Sequence, residues 1–284
     1  MTFVVRRAKT VEETHGEGPS SRSLVQWPVP PRYFRWVRLV SRLSAAILLI
    51  PALPVMALLI MLVQITSYGP GIYRQRRVGR NGRVFTLYKI RTMLHNAEAL
   101  TGPVWTAPND PRVTPLGRLL RALHLDELPQ LFNVLRGEMT LIGPRPERPE
   151  FTQHLARQIP GYMDRYTVMS GITGLAQINL RPDTDVDSVR RKLVLDLEYI
   201  GGANLKMDLK ICLCTVMQII GLPARWGTRL TKLERHPEIP DAFRPEHAPA
   251  GEPSTFCATL GSAPPSANGT SKAGVRQKGT LPTA

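Results

Sequence analysis

Cysteine is scarce in this sequence: Cys212, Cys214 and Cys257 are the only three among 284 residues. An odd count without metal-ligand spacing excludes a disulfide scaffold and a zinc ribbon. The six histidines contain no HxxxH or HExxH pair, which removes the zinc sites built from two imidazoles on one helical face. No apolar run of secretory length follows the first basic residues, so the N-terminus does not read as a signal peptide. Aromatic residues make up 6% and do not interleave with basic ones as in a nucleic-acid-binding patch. Lysine is sparse as well, at 8 residues against 29 arginines. The chain nevertheless carries a formal charge of +15, from 37 basic and 22 acidic side chains. A planar guanidinium matches two phosphate oxygens, so the arginine excess points to a phosphate-bearing partner. A genome-wide bias toward arginine explains the same count. With 43% apolar residues the chain can bury a core, which excludes wholesale disorder.

Charge is missing altogether from residues 43–73, and residues 45–63 (AAILLIPALPVMALLIMLV) are almost unbroken apolar sequence. A helix of this length just spans a bilayer. Arg32, Arg35, Arg38 and Arg42 precede the segment, and Arg74, Arg76, Arg77, Arg80 and Arg83 follow it. Basic flanks prefer the cytoplasmic side, so a straight span strands one cluster on the wrong face. Pro51 and Pro54 each remove a helical hydrogen bond and bend the chain. The expectation is a re-entrant membrane helix over residues 32–66 that enters and leaves one leaflet, its arginines on anionic head groups. Residues 1–31 read as a disordered tail, and so do residues 237–284 with their eight prolines. The working domain is then residues 67–236.

Within that domain, residues 72–78 and 84–90 read as two strands joined through Gly79-Arg80-Asn81-Gly82, where Asn-Gly favours a hairpin turn. Helical spacing dominates afterwards. Leu116, Leu119, Leu120 and Leu123 form one stripe, and Leu128, Leu131, Phe132 and Leu135 a second. Val189, Leu193, Leu197 and Ile200 form a third, closed by Gly201-Gly202, and a fourth apolar helix covers residues 208–220. The predicted fold class is α+β and mainly helical: a short β-hairpin and amphipathic helices on a membrane surface.

The densest polar region is residues 109–150. At its centre Asp126 and Glu127 precede Leu128-Pro129, and proline favours the first turn of a helix. Both carboxylates then sit at a helix N-terminal edge, where positive partial charge keeps a carboxylate ionised and favours phosphate beside it. Helix capping by Asp126 explains an isolated Asp-Glu-x-Pro equally well. The neighbours add weight: Arg118 and Arg121 precede, Arg136 follows, and Arg145 is held in Gly143-Pro144-Arg145-Pro146. Prolines stiffen that loop and fix the guanidinium. Two adjacent carboxylates can divide the labour of phosphoryl transfer, one attacking phosphorus and the other holding Mg²⁺.

The run LDELPQLFNVLRGEMTLIGPRPE resembles the core signature of the bacterial sugar transferases, the monotopic polyprenol-phosphate phosphoglycosyl transferases. The resemblance continues through SYGPGIYRQRRVGRNGRVFTLYKIRTM, DPRVT and SGITGLAQIN, and covers roughly residues 36–220. It implies transfer of a sugar-1-phosphate from a nucleoside diphosphate sugar to polyprenol phosphate, with Mg²⁺, on the cytoplasmic face of the bacterial inner membrane. By the same resemblance Asp126 is the nucleophile that forms a phosphosugar-aspartyl intermediate, and Glu127 is the Mg²⁺ ligand. Arg112, Arg121 and Arg145 correspond to phosphate contacts, and Asp196 to a further functional acid. Pro54 corresponds to the helix break, with Pro51 able to share the bend. Some members carry Ser before that proline where this chain has Leu53. Larger members add transmembrane helices ahead of the core, so the chain resembles the minimal form.

Smaller signals compete. Asp183, Asp185 and Asp187 have the DxD spacing of a metal-bound nucleotide sugar, although a polar loop and helix start fits them better. Gly171 and Gly174 with Gln177 suit either a nucleotide cradle or a tight turn. Two other function classes are consistent with the residues alone: a glycosyltransferase that moves only the sugar, and a non-enzymatic basic protein bound by charge.

Overall fold

The computed structural model describes residues 32–99, Trp105 and residues 110–243. The expected N-terminal tail and residues 244–284 lie outside the described residues. Helix α1, Tyr33–Thr66, is the spine. Its buried residues Phe34, Val37, Ser41, Ala45, Leu49, Ala52 and Met56 recur every three or four positions and Val63 follows two turns later, so a single stripe faces the body. Trp36, Leu39, Leu43, Ile47, Ile50, Leu58 and Ile65 lie on the opposite, exposed side. Only 22% of its most apolar window is buried, which excludes a core helix wrapped by protein.

The sequence leads one to expect a break at Pro51 or Pro54, but the structure instead carries one helix through both prolines. Leu49, Ala52 and Met56 pack on the same cluster, so the body splints the helix across the two lost hydrogen bonds. At about 1.5 Å per residue the helix is about 51 Å long. Buried Arg91 closes its far end, donating to the Ser67 carbonyl at 2.6 Å and to the Pro70 carbonyl at 2.7 Å. A cation there also opposes the helix dipole.

Strands β1, Ile72–Val78, and β2, Val84–Ile90, pair antiparallel with Ile72 opposite Ile90 and Val78 opposite Val84. Asn81 and Gly82 take φ of 54° and 70° in the connecting turn, the conformation that Asn-Gly anticipates. Helix α2 spans Pro115–Ala122 and α3 spans Gln130–Arg136. The second predicted stripe needs correction: α3 buries Leu131, Asn133 and Val134, while Phe132 and Leu135 are exposed. A short strand β3, Thr140–Ile142, pairs in parallel with β4, Gly171–Thr173, on either side of α4, Pro149–Gln158.

Helix α5, Leu175–Asn179, leads into α6, Val186–Gly202. Asp185 caps α6 by accepting from the Ser188 amide at 2.7 Å, and the Ser188 side chain bonds back in a capping box. The helix absorbs Gly201 and Gly202 into its last turn instead of ending at them. Helices α7, Leu205–Ile219, and α8, Ala224–Thr231, complete the body. α7 buries Asp208, Ile211 and Cys214 and leaves Leu205, Leu209, Leu213 and Val216 exposed. The chain is also ordered past the expected boundary at 236, because Phe243 packs with the Ile159 and Tyr162 cluster.

Candidate active site

The chain builds the site by stopping one helix and starting another. After α2, His124 takes a left-handed backbone with φ of 54°. His124 is exposed at this reversal. The reversal folds Leu125–Glu127 into a tight 3-10 turn, directly before Pro129 and α3. Asp126 and Glu127 are therefore fixed by backbone and are only 6% and 9% exposed. Asn133 secures α3 to the hairpin, accepting from the Tyr88 amide at 3.2 Å and donating to the Thr86 carbonyl at 2.7 Å. That tie sets the distance between the carboxylates and β2.

Lys89, on β2, donates to Glu127 Oε1 at 2.8 Å. Arg145 reaches the same carboxylate with Nη2 at 2.5 Å from Oε1 and Nη1 at 3.3 Å from Oε2. Burial alone would raise the Glu127 pKa, yet Arg145 and Lys89 hold it well below the carboxylate range. Arg145 is correspondingly held above its ordinary value by Glu127. Burial lowers the Lys89 pKa, against the pull of Glu127.

Asp126 is different. Among the described residues its side chain has no hydrogen-bond partner, and its neighbours act on it through charge alone. Burial raises its pKa and Glu127 pushes the same way, while Lys89, Arg145 and Arg121 pull it down. A desolvated, unbonded carboxylate ringed by cations is poised to attack an electrophile that brings negative charge with it.

Arg145 owes its position to three backbone contacts. The Gly143 amide donates to the Thr173 carbonyl and the Gly171 amide to the Pro144 carbonyl, both at 2.9 Å. Arg165 Nη2 donates to the Arg145 carbonyl at 2.9 Å. Glycines at the start of β4 and just after it permit this approach: a Cβ on Gly171 would fall 2.1 Å from the Gly143 nitrogen, and one on Gly174 2.3 Å from the Gly143 carbonyl oxygen. Gly171 and Gly174 thus act by packing backbone against the arginine loop. Gln177 lies beside Gly174, and its buried amide has no partner.

The other expected residues distribute as follows. Arg121 bonds Thr92 through Nε at 2.8 Å and lies within electrostatic reach of Asp126. Arg112 joins at the rim: it pairs with Asp110 at 2.6 Å, and that pair in turn acts on Arg121. Asp196 is not beside Asp126 or Glu127. It pairs with Arg165 at 2.6 Å, both side chains 2% exposed, and so reaches the site only through the Arg145 carbonyl. Asp183 pairs with Lys192 and Asp185 caps α6, which leaves no nucleotide-type DxD cluster. Pro51 and Pro54 lie in α1, away from these contacts. Sequence reasoning missed Lys89, Arg165 and Asn133. A lone lysine between the buried Leu87 and Ile90 of a strand was the one local signal for Lys89.

A family profile described as bacterial sugar transferase matches residues 33–221. The chain is 39% identical over 199 residues to a UDP-N-acetylgalactosamine-undecaprenyl-phosphate N-acetylgalactosaminephosphotransferase of Aeromonas hydrophila, covering 69% of this chain and 47% of that one. It is 39% identical over 209 residues to a UDP-glucose:undecaprenyl-phosphate glucose-1-phosphate transferase of Caulobacter vibrioides, covering 72% and 78%. An exopolysaccharide production protein of Rhizobium leguminosarum is 38% identical over 182 residues, covering 62% and 90%. The chain thus spans about half the length of the Aeromonas relative and most of the other two.

Proposed function

Because the chain belongs to the bacterial sugar transferase family, we propose that it transfers a sugar-1-phosphate from a UDP-sugar to polyprenol phosphate through a covalent intermediate on Asp126. The observation that carries this reading is the unbonded, buried Asp126 carboxylate among Lys89, Arg121 and Arg145. An Asp126 oxygen attacks the phosphorus that bears the sugar, and the bond from that phosphorus to the bridging oxygen breaks. Nucleoside monophosphate leaves with the bridging oxygen. An oxygen of polyprenol phosphate then attacks the same phosphorus, freeing Asp126 and giving a polyprenol diphosphate sugar. Lys89 and Arg145 fix Glu127 and neutralise charge at the reacting phosphates. The relatives include enzymes named for glucose and for N-acetylgalactosamine, so the family permits more than one sugar. The name of the Rhizobium relative supports a place at the start of exopolysaccharide assembly.

Among the described residues no three His, Cys, Asp or Glu side chains form a closed metal site. Mg²⁺ needs no such site, because one or two carboxylates suffice when substrate phosphate and water complete the shell. Glu127 fits that role beside the attacking Asp126, with Glu127 Oε2, which has one contact at 3.3 Å, the oxygen left for metal. Bound Mg²⁺ would draw charge from the diphosphate.

The exposed apolar side of α1 belongs in this reading to the membrane. With arginines at both ends of the uncharged stretch, both ends lie in this reading at the cytoplasmic face of the inner membrane, α1 running unbroken through Pro51 and Pro54 with its exposed side in one leaflet.

Incubation of the enzyme with UDP-sugar alone, without acceptor, tests the chemistry. UMP should appear in an amount equal to enzyme, and the intact mass should rise by one phosphosugar. Release of UDP would indicate transfer of sugar alone. A strict need for both substrates would mean direct attack by polyprenol phosphate. A second expectation concerns pH. Lys89 is the strongest cation pulling down the Asp126 pKa. Protonated Asp126 cannot attack, so activity falls as pH drops through that pKa. Lys89→Met keeps the volume but removes the charge, so the acid limb of kcat/KM should move to higher pH. An unmoved limb would mean that another group sets it.

A further inference from the structure

Several arginines are matched with carboxylates, Arg77 with Glu147, Arg148 with Glu98 and the fully buried Arg165 with Asp196, and buried Arg91 is answered by backbone carbonyls. Arg35, Arg38 and Arg80 have neither kind of partner among the described residues. A cavity of about 160 Å³ is lined by Arg35 and Arg38 from the first turns of α1 and by Arg80 from the hairpin turn, with Phe34, Val168 and Met169 as its apolar wall. These arginines have no ion pair or hydrogen bond from their side chains among the described residues, and Arg80 Nε is sealed from solvent without a partner. Burial lowers the Arg80 pKa and the charges of Arg38 and Arg83 lower it further, with no carboxylate to offset them. Arg35 and Arg38 are exposed and Arg80 is half-buried, so three like charges line one cavity with no counter-charge, an arrangement that attracts an anion.

The cavity is distinct from the active site. Lys89 is five residues along β2 from Val84, where the strand leaves the turn, and at about 3.4 Å per residue that is about 17 Å. Its surroundings identify the anion. Trp36, Leu39, Val40 and Leu43 form the exposed apolar side of the same helix turns. The Tyr33 hydroxyl donates to Asp208 at 2.7 Å, which ties these turns to α7. There exposed Leu205, Leu209 and Leu213 alternate with Lys206 and Lys210. A basic cavity bordered by apolar side chains matches the boundary where lipid phosphates meet acyl chains.

We propose that Arg35, Arg38 and Arg80 form a binding site for the phosphate head group of an anionic phospholipid, separate from the polyprenol phosphate acceptor. The proposal rests on the reading of α1 as a membrane helix. It explains why the hairpin turn, far from the chemistry, carries an arginine toward the start of α1.

The test uses the full chain in uncharged detergent micelles and short-chain phosphatidylglycerol as the probe, titrated calorimetrically. Saturable binding near one lipid per protein is expected, with short-chain phosphatidylcholine giving none. Inorganic phosphate should bind at least tenfold more weakly, because it cannot use the apolar wall. Arg38→Gln with Arg80→Gln should weaken phosphatidylglycerol binding by about tenfold or more, whereas Arg157→Gln with Arg118→Gln, which removes two charges from exposed positions on α4 and α2, should not. Thermal unfolding of each variant checks that it folds. Equal loss in the variant of Arg118 and Arg157 would reduce the effect to net charge, and unchanged binding in the variant of Arg38 and Arg80 would overturn the site. Phosphate bound as tightly as the lipid would show a free-anion site and overturn the lipid assignment. Alkaline extraction of cell membranes tests the underlying reading independently. A chain that washes off has no embedded α1, whereas one that stays embedded but ignores phosphatidylglycerol lacks only the pocket.

Discussion

Asp126→Asn is expected to lower turnover by on the order of 10⁴-fold or more, with the folded state nearly unchanged. The substitution is isosteric and removes the charge that attacks phosphorus. Asp126 accepts no hydrogen bond from the described residues, so the amide forfeits no such contact, and it relieves the burial that raises the carboxyl pKa. Melting temperature should therefore hold or rise slightly while activity disappears. The variant should also fail to gain phosphosugar mass when given UDP-sugar alone. Glu127→Gln behaves differently. Glu127 accepts from both Lys89 and Arg145, so its neutralisation leaves two half-buried cations short of a counter-charge and lowers stability along with rate. An active Asp126→Asn enzyme that still forms the adduct would falsify the assignment of the nucleophile.

The contrast between these neighbours shows what the sequence could and could not convey. That Asp126 and Glu127 belong together was readable from their adjacency ahead of Pro129. Which one is bonded and which is open depends on Lys89 and Arg145, 37 and 19 positions from Asp126 along the chain, and no local pattern relates them. The hairpin was legible in its two strands and its turn, because Asn81-Gly82 suits backbone with positive φ at both residues. The β3–β4 pair was not legible. Each strand has three residues, too few to show alternation, and their parallel pairing joins segments about thirty residues apart. Apolar periodicity located α3 and α7, but periodicity cannot say what an apolar face meets. Phe132, Leu135 and the Leu205, Leu209 and Leu213 row face outward, beside a helix whose own exposed side is apolar. A stripe that signals a core in a water-soluble domain here continues the surface of α1.

Asp196 illustrates how a residue can serve a site without touching it. Its carboxylate holds Arg165 in a region where both are 2% exposed. Arg165 also lies over the rings of Tyr162 and Tyr166, at 5.3 and 5.6 Å, and donates to the Tyr162 hydroxyl at 2.9 Å. Burial would lower the Arg165 pKa, but Asp196 and the tyrosines hold it well above its usual value, so the guanidinium stays charged and bonded to the Arg145 carbonyl. Asp196→Leu should strand that charge and cost about 3–5 kcal/mol of stability, a fall in melting temperature on the order of 10 °C. Arg165→Met combined with Asp196→Leu removes both charges and fills the space with apolar atoms, so most of that stability should return. Activity should not return with it, because the Arg145 carbonyl has lost its donor and the guanidinium no longer sits firmly on Glu127. The deficit should appear in kcat more than in KM, since Glu127 and Arg145 act on the reacting phosphates. If the double variant regains both stability and kcat, the pair only fills the core. If it regains stability alone, Asp196 and Arg165 position the catalytic loop.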